Sequence, residues 1–118
     1  MFTPAVLDHF QNPRNAGELS DATATAEVTN PVCGDILRLS IKTDGTRIID
    51  ARFKTQGCVT AIASSSYLAE FLVGKSLEEA RHITYQQISE GLGGLPPATL
   101  HGSQLACDGL LAVLAQLR

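Results

Sequence analysis

The passage from Ile49 to Leu72 leaves a chain like this the fewest options. The run Ile49 to Thr55 alternates with period two and reads as a strand, while Thr60 to Leu72 reads as a helix. Only Gln56-Gly57-Cys58-Val59 stands between them. The chain must turn sharply at Gly57, which puts Cys58 at or just before the helix N-terminus. Unpaired N–H groups and the positive end of the helix favour anions there, and the thiolate is the form of cysteine that binds metal or attacks sulfur. Small residues follow (Ala61, Ala63 and Ser64 to Ser66), leaving room for something to approach. A buried, inert thiol is the other reading of the same position.

The rest of the chain fits around this unit. Pro4 to Phe10 reads as a short helix, with Thr3 as N-cap, Pro4 at its first position, and Val6, Leu7 and Phe10 as its apolar stripe. Asn12 to Gly17 ends it with turn chemistry. His9 reads as a surface or satisfied polar residue. Ala22 to Thr29 reads as an edge strand, Asn30 to Asp35 breaks it, and Ile36 to Ile41 resumes a strand. Asp44-Gly45 is a hairpin signal that returns the chain through Ile48 to Thr55. The fold class expected is α+β: a three-stranded antiparallel sheet with helices packed on it. In the central helix Ile62, Tyr67, Leu68, Phe71 and Leu72 are available to face the sheet, and Gly74 ends the helix. Ser76 with Glu79 forms a capping box for another helix. Tyr85 to Ile88 reads as a short turn, Gly91 to Pro97 as a loop, and His101 or Ser103 to Leu117 as the last helix. Ala106, Leu110, Val113, Leu114 and Leu117 form its apolar face. His82 receives no role.

The 118 residues are expected to form one domain, 1–118. Hydrophobic residues make up 44% of the chain, which argues against a disordered protein. A net charge of −3 argues against a nucleic-acid partner. No apolar run is long enough to span a membrane, and the first residues lack a signal-peptide pattern. The expected compartment is the cytoplasm. There, three cysteines point to metal or redox chemistry rather than to disulfides.

Four residues carry that chemistry. Cys33-Gly34-Asp35 places a thiol and a carboxylate two apart in a turn, where Gly34 lets the backbone bend. Cys58 and His101, at the starts of two helices, supply a second thiol and an imidazole. All four belong to loops or element ends, where a scaffold can aim them. Thiolate and imidazole suit zinc and iron–sulfur clusters, and the carboxylate is the harder ligand. There is no Cys-x-x-Cys, so spacing alone leaves open whether these residues form a metal set.

Longer matches go further. Leu7 to Asn15, Cys33-Gly34-Asp35, Asp50 to Cys58, Ala61 to Ser66, Gly74 to Leu77 and Leu95-Pro96-Pro97 together resemble the IscU/NifU-type iron–sulfur cluster scaffold family, across nearly the whole chain. The resemblance implies an IscU/SufE-like fold. It implies a protein that receives sulfur from a cysteine desulfurase, assembles a transient [2Fe–2S] cluster and passes it to acceptor apo-proteins. By resemblance, Cys33 and Cys58 are the first two cluster cysteines, Asp35 is the carboxylate that makes the cluster labile, and His101 is the histidine beside the third cysteine. Iron, and Zn²⁺ in its absence, would occupy the same ligands. Leu95 to Thr99 resembles the segment gripped by Hsp70-type chaperones, with Thr99 where a basic residue normally stands.

One departure stands out. The family's third cysteine follows that histidine directly, and position 102 here is glycine. Cys107 lies five residues on, about 7.5 Å along a helix and rotated by about 140°, against metal–sulfur bonds of about 2.3 Å. It shares a helix face with Leu110, Leu111 and Leu114 and reads as core, with a place in the site as the alternative. Three roles follow: a scaffold completed by Cys33, Cys58, His101 and Asp35 or Cys107; a zinc-bound persulfide acceptor; or an interaction module for the desulfurase that binds no cluster. A cysteine hydrolase built on Cys58 and His101 lacks an orienting partner and an oxyanion pocket.

Overall fold

A computed structural model describes residues 2–31 and 33–117. Three strands, β1 (Ala24–Thr29), β2 (Ile36–Thr43) and β3 (Ile48–Gln56), form one antiparallel sheet in that order. Asp44 closes the β2–β3 hairpin, its Oδ1 accepting from the N–H groups of Thr46 and Arg47, with Gly45 at φ 98°. Register follows from that turn. Leu39 sits opposite both Ala26 and Phe53, and Ile36 opposite Gln56, after one irregularity at Lys42/Thr43. Alternation then sends Leu37, Leu39, Ile41, Ala51 and Phe53 into the core and leaves Arg38 and Lys54 exposed.

Among the described residues there are also five helices: α1 (Pro4–Gln11), α2 (Val59–Leu72), α3 (Leu77–Arg81), α4 (Tyr85–Gly91) and α5 (His101–Ala115). A single 3₁₀ turn, Pro97–Thr99, leads into α5. Thr3 caps α1 as expected, accepting from the Val6 N–H. Ser76 and Glu79 form the expected capping box of α3. Helices α2 and α5 lie on the sheet and against each other, and α1 packs on α2.

Two expectations are corrected. The buried face of α2 is made mostly of small residues, Thr60, Ala61, Ala63, Ser64, Ser65, Ser66 and Ala69, together with Leu68 and Leu72. Ile62, Tyr67 and Phe71 are only half-buried; Tyr67 stacks on Phe71 and meets His9 edge-on. Small residues let α2 lie close to its neighbours on several sides, so its burial follows neighbour positions rather than one stripe. The segment read as a turn at Tyr85 to Ile88 is a helix as far as Gly91, opened by a second capping box of Thr84 and Gln87.

His9 is buried and satisfied. Its Nδ1 lies 2.8 Å from Ser66 Oγ, which also accepts from the Arg14 N–H at 2.8 Å. The hydroxyl has a donor and a second lone pair left for His9, so this bond serves either tautomer of the imidazole. Among the described residues no helix is long and apolar enough to cross a membrane.

Candidate metal and cluster site

Three chain segments meet at one end of the sheet. The first is the β1–β2 loop. Asn30 fastens it: its N–H donates to the Asp35 carbonyl, its carbonyl accepts from the Gly34 N–H, and its Oδ1 accepts from the Cys33 N–H at 3.4 Å. Gly34, at φ 76°, adopts the left-handed turn conformation that lets Cys33 and Asp35 face the same way. The second is the β3–α2 turn. Cys58 occupies the N-cap of α2 in an extended conformation, with its thiol free of any capping bond. The third is the start of α5, where the Pro96-Pro97 turn delivers His101 as the first helical residue.

Hairpin register brings the first two together. With Ile36 opposite Gln56, the next residues outward are Asp35 and Gly57. The Asp35 side chain lies directly over Gly57: a β-carbon built there would stand 2.8 Å from both Cβ and Oδ1 of Asp35. Glycine is the residue that admits this carboxylate. Asp35 Oδ2 accepts from the Cys58 N–H at 3.4 Å.

One ligand atom each from Cys33, Asp35 and His101 lies within 4.8 Å of the others. Cys58 joins through His101, its Sγ 3.3 Å from Nε2. All four residues read from the sequence as candidates therefore gather at one place. The thiols of Cys33 and Cys58 are exposed, whereas Asp35 keeps only 8% of its surface. Burial works against the Asp35 charge. The thiol and N–H of Cys58, the thiol of Cys33 and the nearby His101 outweigh it and hold the carboxyl below the usual range. Asp35 is thus kept as a carboxylate, the form that ligates.

Cys107 is not brought to this cluster. It faces the α3–α4 junction, with its Sγ 3.7 Å from the Ile83 carbonyl. Burial and the neighbouring Asp108 push its thiol up, away from the ligating form. Two contacts at the site were not read from the sequence. Thr60 Oγ1 lies 3.3 Å from Cys58 Sγ. Gly57, read only as a turn residue, is the surface on which Asp35 rests. The period-two register could have shown the second, since it makes Asp35 and Gly57 neighbours.

The donor set of two thiols, one carboxylate and one imidazole fits a thiophilic metal ion or an iron–sulfur cluster. Comparison with known proteins gives the class. A family model described as "NifU-like N terminal domain" matches residues 1–118, and the chain belongs to that family. The chain is 49% identical over 110 residues to an Archaeoglobus fulgidus protein named iron-sulfur cluster assembly scaffold protein IscU 1, covering 93% of this chain and 72% of that one. It is 47% identical over 121 residues to the Haemophilus influenzae iron-sulfur cluster assembly scaffold protein IscU, covering 99% and 95%. Among solved structures, it resembles the one titled as a putative iron-sulfur cluster assembly scaffold protein for the SUF system from Fervidobacterium islandicum. That likeness has a TM-score of 0.80 at 23% identity, covers 96% of each chain, and bears on the fold alone.

Proposed function

We propose that this chain is an iron–sulfur cluster assembly scaffold that builds a transient [2Fe–2S] cluster at Cys33, Cys58, Asp35 and His101 and passes it to acceptor apo-proteins. The observation that carries the reading is the meeting of these four side chains, from three separate segments, at an exposed end of the sheet. Exposure suits a cargo site, because a cluster meant to leave needs an open path. Iron–sulfur clusters are held by thiolates, and histidine can replace cysteine. The carboxylate is the hard member of the set and the one that keeps a soft cargo exchangeable.

Sulfur would arrive from a cysteine desulfurase as a persulfide. The Cys58 thiolate attacks the terminal sulfur, the sulfur–sulfur bond breaks, and the donor thiolate leaves, so the transfer is redox-neutral. His101 Nε2, 3.3 Å from Cys58 Sγ, is placed to take the thiol proton. Each transferred sulfur then needs two electrons to become sulfide, which an external reductant must provide. Zn²⁺ would take the same four ligands in the absence of iron, since a mixed thiolate, imidazole and carboxylate set suits its tetrahedral preference. Free cysteines at the surface fit a reducing compartment such as the cytoplasm. An Hsp70-type chaperone is the partner with the weakest support. Leu95 is buried and its N–H is bound to Ser89 Oγ, so gripping Leu95 to Thr99 requires that segment to come loose.

A second reading, a zinc-bound persulfide acceptor, is favoured by one observation: the site gathers two thiols rather than three. Anaerobic reconstitution with iron, cysteine, a reductant and a desulfurase separates the two. A scaffold gives about two iron and two sulfide per cluster with visible charge-transfer bands. Zinc alone with persulfide on Cys58, and no chromophore, would replace the scaffold reading with the acceptor reading.

A further inference from the structure

Gly102 occupies the position where the family pattern has its third cysteine, and it is buried against the first turn of α2. A β-carbon there would stand 2.6 Å from the carbonyl carbon of Thr60, 2.7 Å from its oxygen and 2.8 Å from the Ala61 nitrogen. These distances lie inside van der Waals contact. The obstructing atoms are helical backbone, which has no rotamer to turn aside. Any residue larger than glycine can enter only if α5 moves away from α2.

That contact lies beside the site. Thr60 and Ala61 follow Cys58 in the first turn of α2, and Gly102 follows His101 in the first turn of α5. The backbone approach at Gly102 therefore brings the two helix starts together beside the pair of Cys58 Sγ and His101 Nε2, 3.3 Å apart.

We infer that Gly102 is a positioning residue: its missing side chain docks α5 on α2 and so holds His101 against Cys58, and a cysteine restored at 102 does not become a third thiolate ligand. The inference rests on the reading of Cys33, Asp35, Cys58 and His101 as a ligand set. On that reading the chain has a two-thiolate site by construction. The family's third ligand was not simply deleted from an otherwise unchanged pocket, because the space for it is filled by the backbone of α2.

The test uses Gly102→Ala, Gly102→Cys and, as a control, Val113→Ala, which opens a fully buried position near the far end of α5. Thermal midpoints are measured without metal. Co²⁺ is then titrated in, and its thiolate charge-transfer absorbance, which scales with the number of bound thiolates, is read per bound ion. Both Gly102 variants are expected to melt about 5 °C or more below the parent. Both should bind Co²⁺ at least about tenfold more weakly, with no more charge-transfer intensity per ion than the parent, whereas Val113→Ala should lower the midpoint and keep parental affinity. A Gly102→Cys protein with half again the parental intensity overturns the inference, as does an unchanged midpoint or affinity in Gly102→Ala. Equal weakening by Val113→Ala would show an effect of general stability and overturns it too. If Gly102→Cys does not fold, Gly102→Ala carries the test. Loss of the ligand reading is seen separately, as parental Co²⁺ binding in a Cys33→Ser, Cys58→Ser double variant, while the metal-free midpoints still report on helix docking.

Discussion

The side chain of Asp35 lies over Gly57, where a β-carbon would stand 2.4 Å from its carboxyl carbon, and its Oδ2 accepts from the N–H of the next residue, Cys58, at 3.4 Å. Gly57 has a backbone that other residues can adopt, so its identity is fixed by the side chain lying over it. Gly57→Ala is expected to push Asp35 out of the site and to destabilise the protein by about 1–3 kcal/mol. Removal of the carboxylate itself, in Asp35→Ala, is expected to slow release of bound cluster or metal to a chelator, and Gly57→Ala should slow it in the same direction. Equal release rates for the parent and both variants would show that Asp35 does not govern lability.

Cys107 gives a prediction of the opposite kind. Its thiol is half-buried near the Ile83 carbonyl and is not gathered with the site. Cys107→Ser is expected to leave bound metal and cluster unchanged and to cost about 1 kcal/mol, since a hydroxyl is the more polar group to bury. Metal analysis that finds one equivalent missing from the variant would place Cys107 among the ligands.

His9 supplies a pH dependence. Burial and the Arg14 charge lower its pKa from the ordinary 6.5, and the opposing pull of Glu70 and Asp8 does not compensate. The native state thus takes up a proton on the imidazole less readily than the unfolded chain, which does so below about 6.5. The stabilising effect is fully present above that value and is lost as the pH falls through it toward the native pKa. Denaturant midpoints at pH 7.5 and 5.5 should show the loss, and His9→Gln should show a smaller difference between the two. An equal or larger difference in the variant would mean that other groups carry the dependence.

Thr84 is the cap that the sequence reading passed over. Its hydroxyl accepts from the Gln87 N–H and its own N–H donates to the Gln87 side chain. Thr84→Ala is expected to lower stability by about 1 kcal/mol, measured as a shift in the denaturant midpoint at constant slope.

Much of this architecture is legible in the chain because local chemistry and tertiary position agree. Asp44-Gly45 fixes the hairpin, the hairpin fixes the register, and the register brings Asp35 beside Gly57 and hence Cys33 toward Cys58. Ser76 and Glu79 mark a helix start by their own hydrogen bonds. What stayed hidden depends on distance across the fold. Apolar size suggested that Ile62, Tyr67 and Phe71 face the sheet, whereas the buried face of α2 is mostly small because several elements press on it at once. His9 gave no sign of its buried bond to Ser66, 57 residues away. The glycine at 102 read as a lost ligand, and only the packed helices show that backbone occupies the space.

The most direct test is X-ray absorption at the metal edge on Zn²⁺- or Co²⁺-loaded protein, counting the ligands that the metal sees. The account predicts two sulfur neighbours at about 2.3 Å and two lighter neighbours at about 2.0–2.2 Å, with one sulfur lost in Cys33→Ser and in Cys58→Ser. Three sulfur neighbours in the parent, one of them lost in Cys107→Ser, would contradict it.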